Sequence, residues 1–154
     1  MDESVNSTDA LECRVKLLIY PGDLDPEKVT EILGITPTEI FKKGQISGPN
    51  SLGRVRINKN NCWFLISDEV LKSNMLVEHM DWMLDKLSLA KSGLDVLKTV
   101  PGVSISFRCT WWTKDGGWFT FTANQLKKIA DLGLDLEFEI AAYPDDKDSN
   151  DQSL

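Results

Sequence analysis

Residues 103–113 read VSISFRCTWWT. Val103, Ile105, Phe107, Cys109 and Trp111 alternate with Ser104, Ser106, Arg108, Thr110 and Trp112, the period of two of a strand with one buried and one wetted face. The first set is expected inward and the second outward. Downstream, Asp115-Gly116-Gly117 is turn chemistry, which predicts that Trp118 to Phe121 folds back as a hairpin strand. Thr122 and Gln125 have capping-box spacing. They predict a short helix lined by Leu126, Ile129, Ala130 and Leu132 that stops at Gly133. The last strand, 134–143, is expected to bury Leu134, Leu136, Phe138 and Ile140 and to expose Asp135, Glu137 and Glu139.

Upstream the same alternation recurs at 12–20, ECRVKLLIY. Cys13, Val15, Leu17 and Ile19 face in, while Glu12, Arg14, Lys16 and Tyr20 face out. Pro21-Gly22 ends that strand. Asp25 as N-cap and Pro26 at the first helical position start a helix whose apolar face is Val29, Ile32 and Leu33, with Gly34 as its stop. Residues 36–60 hold the densest turn chemistry in the chain, with a short edge strand expected at Arg54-Val55-Arg56-Ile57. Cys62 to Ile66 is continuously apolar and suits an interior strand. Residues 74–90 form the strongest helix, with Leu76, Met80, Met83 and Leu87 at helical spacing. Ser92-Gly93 is expected to break it before a short turn through Leu94 and Leu97. Helices thus alternate with amphipathic strands. The predicted fold is α+β: a mainly antiparallel sheet with helices on one face, resembling ferredoxin-like topologies.

At 154 residues, the chain fits one domain at roughly 100–200 residues each. The net charge of −7 is unevenly placed, with −3 in residues 1–9, −3 in 144–154 and −1 in between. Both ends are polar and rich in Asp, Asn and Ser. They read as disordered acidic tails flanking a single domain at 10–143. No basic and apolar leader opens the chain, and no apolar run approaches the length of a membrane span. Cys13, Cys62 and Cys109 are odd in number, far apart and set in apolar runs. They read as small core residues, in keeping with a reducing cytoplasm. No membrane contact is expected.

Candidate sites follow from the outward faces. Trp112, Arg108, Asp135, Glu137 and Glu139 form the candidate partner-binding set, with Trp112 as anchor, since Trp, Tyr and Arg dominate binding hot spots. A solvated face with cross-strand charge pairs is the bland alternative. A second candidate is the basic stretch 41–60, whose Lys42, Lys43, Arg54, Arg56 and Lys59 have no acid among them. Lys42, Lys43, Arg54 and Arg56 could contact an anion or an acidic partner. Neither KKGQISG nor GRVRIN has the glycine spacing of a phosphate loop. His79 has no second histidine with which to form a zinc motif. No carboxylate pair stands out for acid–base work. No catalytic residue, metal or cofactor is expected, and nucleic acid is disfavoured by the overall charge.

Several blocks carry a family resemblance: DPEKVTEILGITP and FKKGQ after the opening strand, CWFLIS, VEHMDWMLDKL, and TANQLKKIADLGLDLEFEIAAY. Together they resemble the bacterial family called domain of unknown function 4279, across most of 12–143. The resemblance implies a small bacterial protein with no established catalytic motif. Some members of that family resemble immunity proteins of toxin systems. The expected function is a non-catalytic cytoplasmic protein-binding module, an immunity protein that binds and neutralises a bacterial toxin. An acidic inhibitor would gain electrostatic steering toward a basic toxin. The alternative is a ligand- or nucleic-acid-binding regulator that uses the 41–60 loop.

Overall fold

A computed structural model describes residues 10–144. The two expected tails, Pro144 apart, lie outside the described residues. Within them the order is β1 (Ala10–Tyr20), α1 (Pro26–Leu33), β2 (Glu39–Phe41), β3 (Ile46–Ser47), β4 (Arg56–Ile57), β5 (Cys62–Ile66), a 3-10 turn at Ser67–Glu69, α2 (Leu76–Leu87), α3 (Lys91–Thr99), β6 (Ser104–Thr113), α4 (Ala123–Asp131) and β7 (Leu136–Ala142). Strands β2, β5, β1, β6 and β7 form one sheet in that order, and β3 and β4 form a separate two-stranded ribbon. Every neighbouring pair in the main sheet is antiparallel except β6–β7.

The fold is α+β with a mostly antiparallel sheet, as expected. The strand order departs from a ferredoxin-like one, in which a split βαβ unit sets a strand between two parallel ones. Here β6, α4 and β7 make an unsplit unit, with β7 directly beside β6.

Alternation decides the two faces. Val15, Leu17, Ile19, Trp63, Leu65, Phe107, Cys109 and Trp111 share one buried face in register, with Val15 opposite Cys109 and Leu17 between Leu65 and Phe107. Val29 and Leu33 of α1, Met80, Met83 and Leu87 of α2, Leu94 and Leu97 of α3, and Ile129 of α4 join them in one core. All four helices therefore lie on the same side of the sheet. Burying one Leu- or Met-sized side chain in that core is worth about 1.5–3 kcal/mol.

The local helix signals hold. Asp25 accepts from the Glu27 N–H, Pro26 opens α1, and Gly34 ends it at φ 67°. Thr122 and Gln125 form both bonds of a capping box.

Five expectations are corrected. Gly93 does not break a helix, because the chain turns at 88–90 and Gly93 sits buried inside α3. Residues 118–121 form no strand. The outer edge of β6 is taken by β7, and Phe119 and Phe121 instead pack their rings against Trp111 and Phe138. Leu126 is exposed on α4, as is Ala130, because α4 lies on α2 through Gln125 and Ile129. Phe138 and Ile140 point to the helix side but stay 47% and 60% exposed, since β7 is the sheet edge, with cover on one flank only. Of the edge strand expected at Arg54–Ile57, only Arg56–Ile57 is strand, and it pairs with β3 in the separate ribbon.

Candidate functional site

The sheet face opposite the helices is the candidate site. Its side chains come from the outward positions of β1, β5, β6 and β7. Register places Lys16 between Ile66 and Arg108, Arg14 beside Thr110, Arg108 beside Glu137, and Thr110 beside Glu139. Arg14 reaches Asp68 at 3.1 Å and Glu12 at 3.3 Å. Arg108 reaches Glu137 at 3.2 Å, and Lys16 reaches Glu139 at 4.0 Å. Ser106 and Thr110 donate their hydroxyls to Glu137 and Glu139 at 2.9 and 3.1 Å.

These pairs are the cross-strand ladder that the sequence alternation implies. Their electrostatics follow. The Ser106 hydroxyl and then the Arg108 guanidinium hold the Glu137 carboxyl below the usual carboxylate range. Burial, with Arg14 second, pulls the Lys16 ammonium below its ordinary value. The face thus carries charge in a fixed pattern and exposes part of each carboxylate.

Aromatic side chains flank this ladder at both ends. Trp112 is half-buried, with the Arg14 guanidinium 5.8 Å from its ring centroid and the Tyr143 ring edge-on at 5.7 Å. Its indole N–H is shielded and has no hydrogen-bond partner among the described residues. At the other end, Phe64 contacts Tyr20 at 5.5 Å and Phe41 at 6.0 Å. The structure brings Trp112, Arg108, Glu137 and Glu139 onto this one face. Asp135 precedes β7 and is exposed beside Lys98 and Gly133, off the ladder. Tyr20, Phe64 and Phe41 belong to the face as well. Tyr20 carried a period-two signal, whereas Phe64 was hidden in a continuously apolar run.

The basic 41–60 stretch divides. Lys42 is held by Asp25 and Glu27 at 3.6 and 3.2 Å, so α1 neutralises it. Lys43 stands exposed at a hollow with Asp23, Asn60 and Asn61. Arg54 and Arg56 are exposed on the ribbon, together with Ile46, Leu52, Val55 and Ile57.

A buried polar couple was not legible in the sequence. Ser67 and His79 are fully buried, with Ser67 Oγ 2.6 Å from His79 Nδ1. The Val15 N–H donates to Ser67 Oγ at 2.8 Å. The Ser67 hydroxyl therefore donates to Nδ1, and His79 Nε2–H donates to the Ser73 carbonyl at 2.8 Å. The geometry is that of a hydroxyl with an adjacent base, but neither group is open to a substrate. The couple pins β1 to α2. Cys13 and Cys109 are buried, and their thiols are pushed up to about 11 and about 12 by desolvation. Cys62 is half-buried at the start of β5, which corrects its assignment to the core. Among the described residues no group of three His, Cys, Asp or Glu side chains is placed to hold a metal ion. No helix among them is long and apolar enough to cross a membrane.

Residues 11–143 match the model of a family described as Domain of unknown function (DUF4279). No curated protein and no solved structure matches the chain.

Proposed function

The chain belongs to the DUF4279 family, and from that membership and the geometry above we propose that it is a non-catalytic protein-binding module, an inhibitor that neutralises a basic toxin by covering it. One observation carries the reading: among the described residues a whole sheet face is left without helices and bears a preset charge ladder between aromatic ends. Such a face is stiff, because its side chains are already paired, so little rotamer entropy is lost on docking. Trp112, Tyr143 and Arg108 supply hot-spot residue types. Glu137 and Glu139, about half exposed, offer carboxylate to incoming bases. The cytoplasm is the compartment proposed, consistent with three free thiols.

The test is affinity capture of a toxin encoded beside this chain, with the toxin's activity assayed alongside. A one-to-one complex that suppresses the toxin, weakens with salt and weakens at least tenfold in Trp112→Ala is expected. A neighbouring toxin that stays free and fully active in the presence of this protein overturns the reading.

A further inference from the structure

The outer edge of β7 and the outer edge of the β3–β4 ribbon carry complementary sequences. On β7 the run is Leu136-Glu137-Phe138-Glu139, and at the ribbon it is Arg54-Val55-Arg56-Ile57, of which Arg56-Ile57 is β4. Among the described residues both are open: β7 ends the strand order of the main sheet, and β4 pairs only with β3. Val55, just before β4, and Ile57 within it are 57% and 65% exposed, an unusual display of aliphatic surface at one edge.

The backbone parity also fits. Tyr143 N–H donates to the Thr113 carbonyl of β6. Peptide groups alternate along a strand, so those of residues 137, 139 and 141 face β6, and those of Leu136, Phe138 and Ile140 face outward. On the ribbon, Asn58 N–H donates to Gln45 O and Asn50 N–H to Arg54 O. The peptide groups of Arg54, Arg56 and Asn58 therefore face inward, and those of Val55 and Ile57 face outward. Only outward groups can build a new ladder.

We propose that copies of this chain associate head to tail, the ribbon of one adding as an antiparallel strand to the β7 edge of the next. With Val55 opposite Phe138, the outward peptide groups of both strands meet, and Ile57 falls opposite Leu136. The same register sets Arg54 opposite Glu139 and Arg56 opposite Glu137. Parallel addition through the same groups would set Arg56 opposite Phe138, so polarity selects the antiparallel arrangement. Pairing of two β7 edges would set glutamate against glutamate, and pairing of two ribbons arginine against arginine, both unfavourable. The contact is thus heterologous and not two-fold. It is also intermolecular. The ribbon joins β2 to β5 at one side of the sheet and β7 lies at the other, four strand spacings away or roughly 19 Å.

A contact of four residue pairs is small, so weak affinity is expected, with Kd on the order of 0.1–1 mM. Sedimentation velocity to about 1 mM protein, at about 50 and 500 mM salt, measures it. The proposal expects the average mass to rise with concentration at low salt and the association to weaken at least tenfold at high salt. R54E/R56E alone and E137K/E139K alone stay monomeric. Their mixture associates, because each reversed ribbon then faces a reversed edge. Val55→Pro, which removes an outward donor and no bond within the ribbon, also stays monomeric. Should E137K/E139K fail to fold, R54E/R56E and Val55→Pro still decide, with slowed amide exchange at Val55, Ile57, Leu136 and Phe138 at high concentration of the native chain. A native chain that is monomeric at about 1 mM, or a ribbon variant that associates like the native chain, overturns the proposal. A folded charge-swapped mixture that stays monomeric overturns it as well.

Discussion

Replacing Gly93 by alanine sets two effects against each other, and the structure says which wins. Gly93 lies within α3, where alanine is favoured over glycine by about 0.8–1.0 kcal/mol. Its Cα, however, lies against the end of α1. A Cβ built there comes within 2.6 Å of the Ile32 carbonyl oxygen, 3.2 Å of that carbonyl's carbon and 3.1 Å of Leu33 Cδ2. Leu33 Cδ2 can rotate away, but the carbonyl is backbone in the last turn of a capped helix. Relief therefore requires α1 and α3 to part by several tenths of an ångström, which loosens the packing of one helix on the other. Overpacking of this kind costs about 1–3 kcal/mol. After the helix gain is subtracted, a net loss of up to about 2 kcal/mol remains. For a chain of this size that is a fall in Tm of up to roughly 8 °C. Urea denaturation of Gly93→Ala and of the exposed neighbour Ser92→Ala measures it, with Ser92→Ala expected neutral or slightly stabilising. A Gly93→Ala protein that is more stable than the native one by the full helix propensity would refute the close α1–α3 approach.

Other perturbations test separate parts of the structure. Ser67→Ala strands the buried Val15 N–H and His79 Nδ1, so a loss of about 2–4 kcal/mol in urea denaturation is expected; a loss under about 0.5 kcal/mol would dissolve the couple. Burial, and then a hydrogen bond that the protonated Glu39 carboxyl donates to the Glu69 carboxylate, raises the Glu39 carboxyl above its ordinary value. The folded state then holds that proton more tightly than the unfolded chain, so Glu39 contributes stability at low pH that is lost as pH rises through its folded value. Glu39→Gln should raise Tm at pH 7 by a shift that vanishes in acid, and a shift independent of pH would count against it. Thiol titration of the native protein at about pH 8 should label Cys62 first, although partial burial raises its thiol as well, and Cys13 and Cys109 only on unfolding, their pKa values being about 11 and about 12. Fast labelling of all three would contradict their burial.

The amino-acid sequence was enough wherever a rule reaches only a few residues. Period-two alternation placed β1 and β6 and sorted their faces, because successive strand side chains must oppose. Asp25-Pro26 with Gly34, and Thr122 with Gln125, marked helix ends through bonds spanning a few residues. Four of the five proposed partner-binding residues fell on one face for the same reason: the alternation that buries Phe107 and Cys109 turns Arg108 and Trp112 outward.

What alternation cannot say is which strand lies at an edge. Phe138 and Ile140 have the pattern of buried residues, yet their exposure depends on what stands beyond β7, and no residue near them in sequence carries that information. The same limit hid Gly93, whose reason is a carbonyl 61 positions away on α1. It hid Ser67, whose partners are 12 and 52 positions distant. Composition and local periodicity determined that this chain makes amphipathic strands and capped helices with one wet sheet face. Strand order, the open β7 edge, the free ribbon and the buried Ser67–His79 couple were decided only by tertiary packing. Each depends on a neighbour brought close by the fold, and burial is a property of that neighbour as much as of the residue itself.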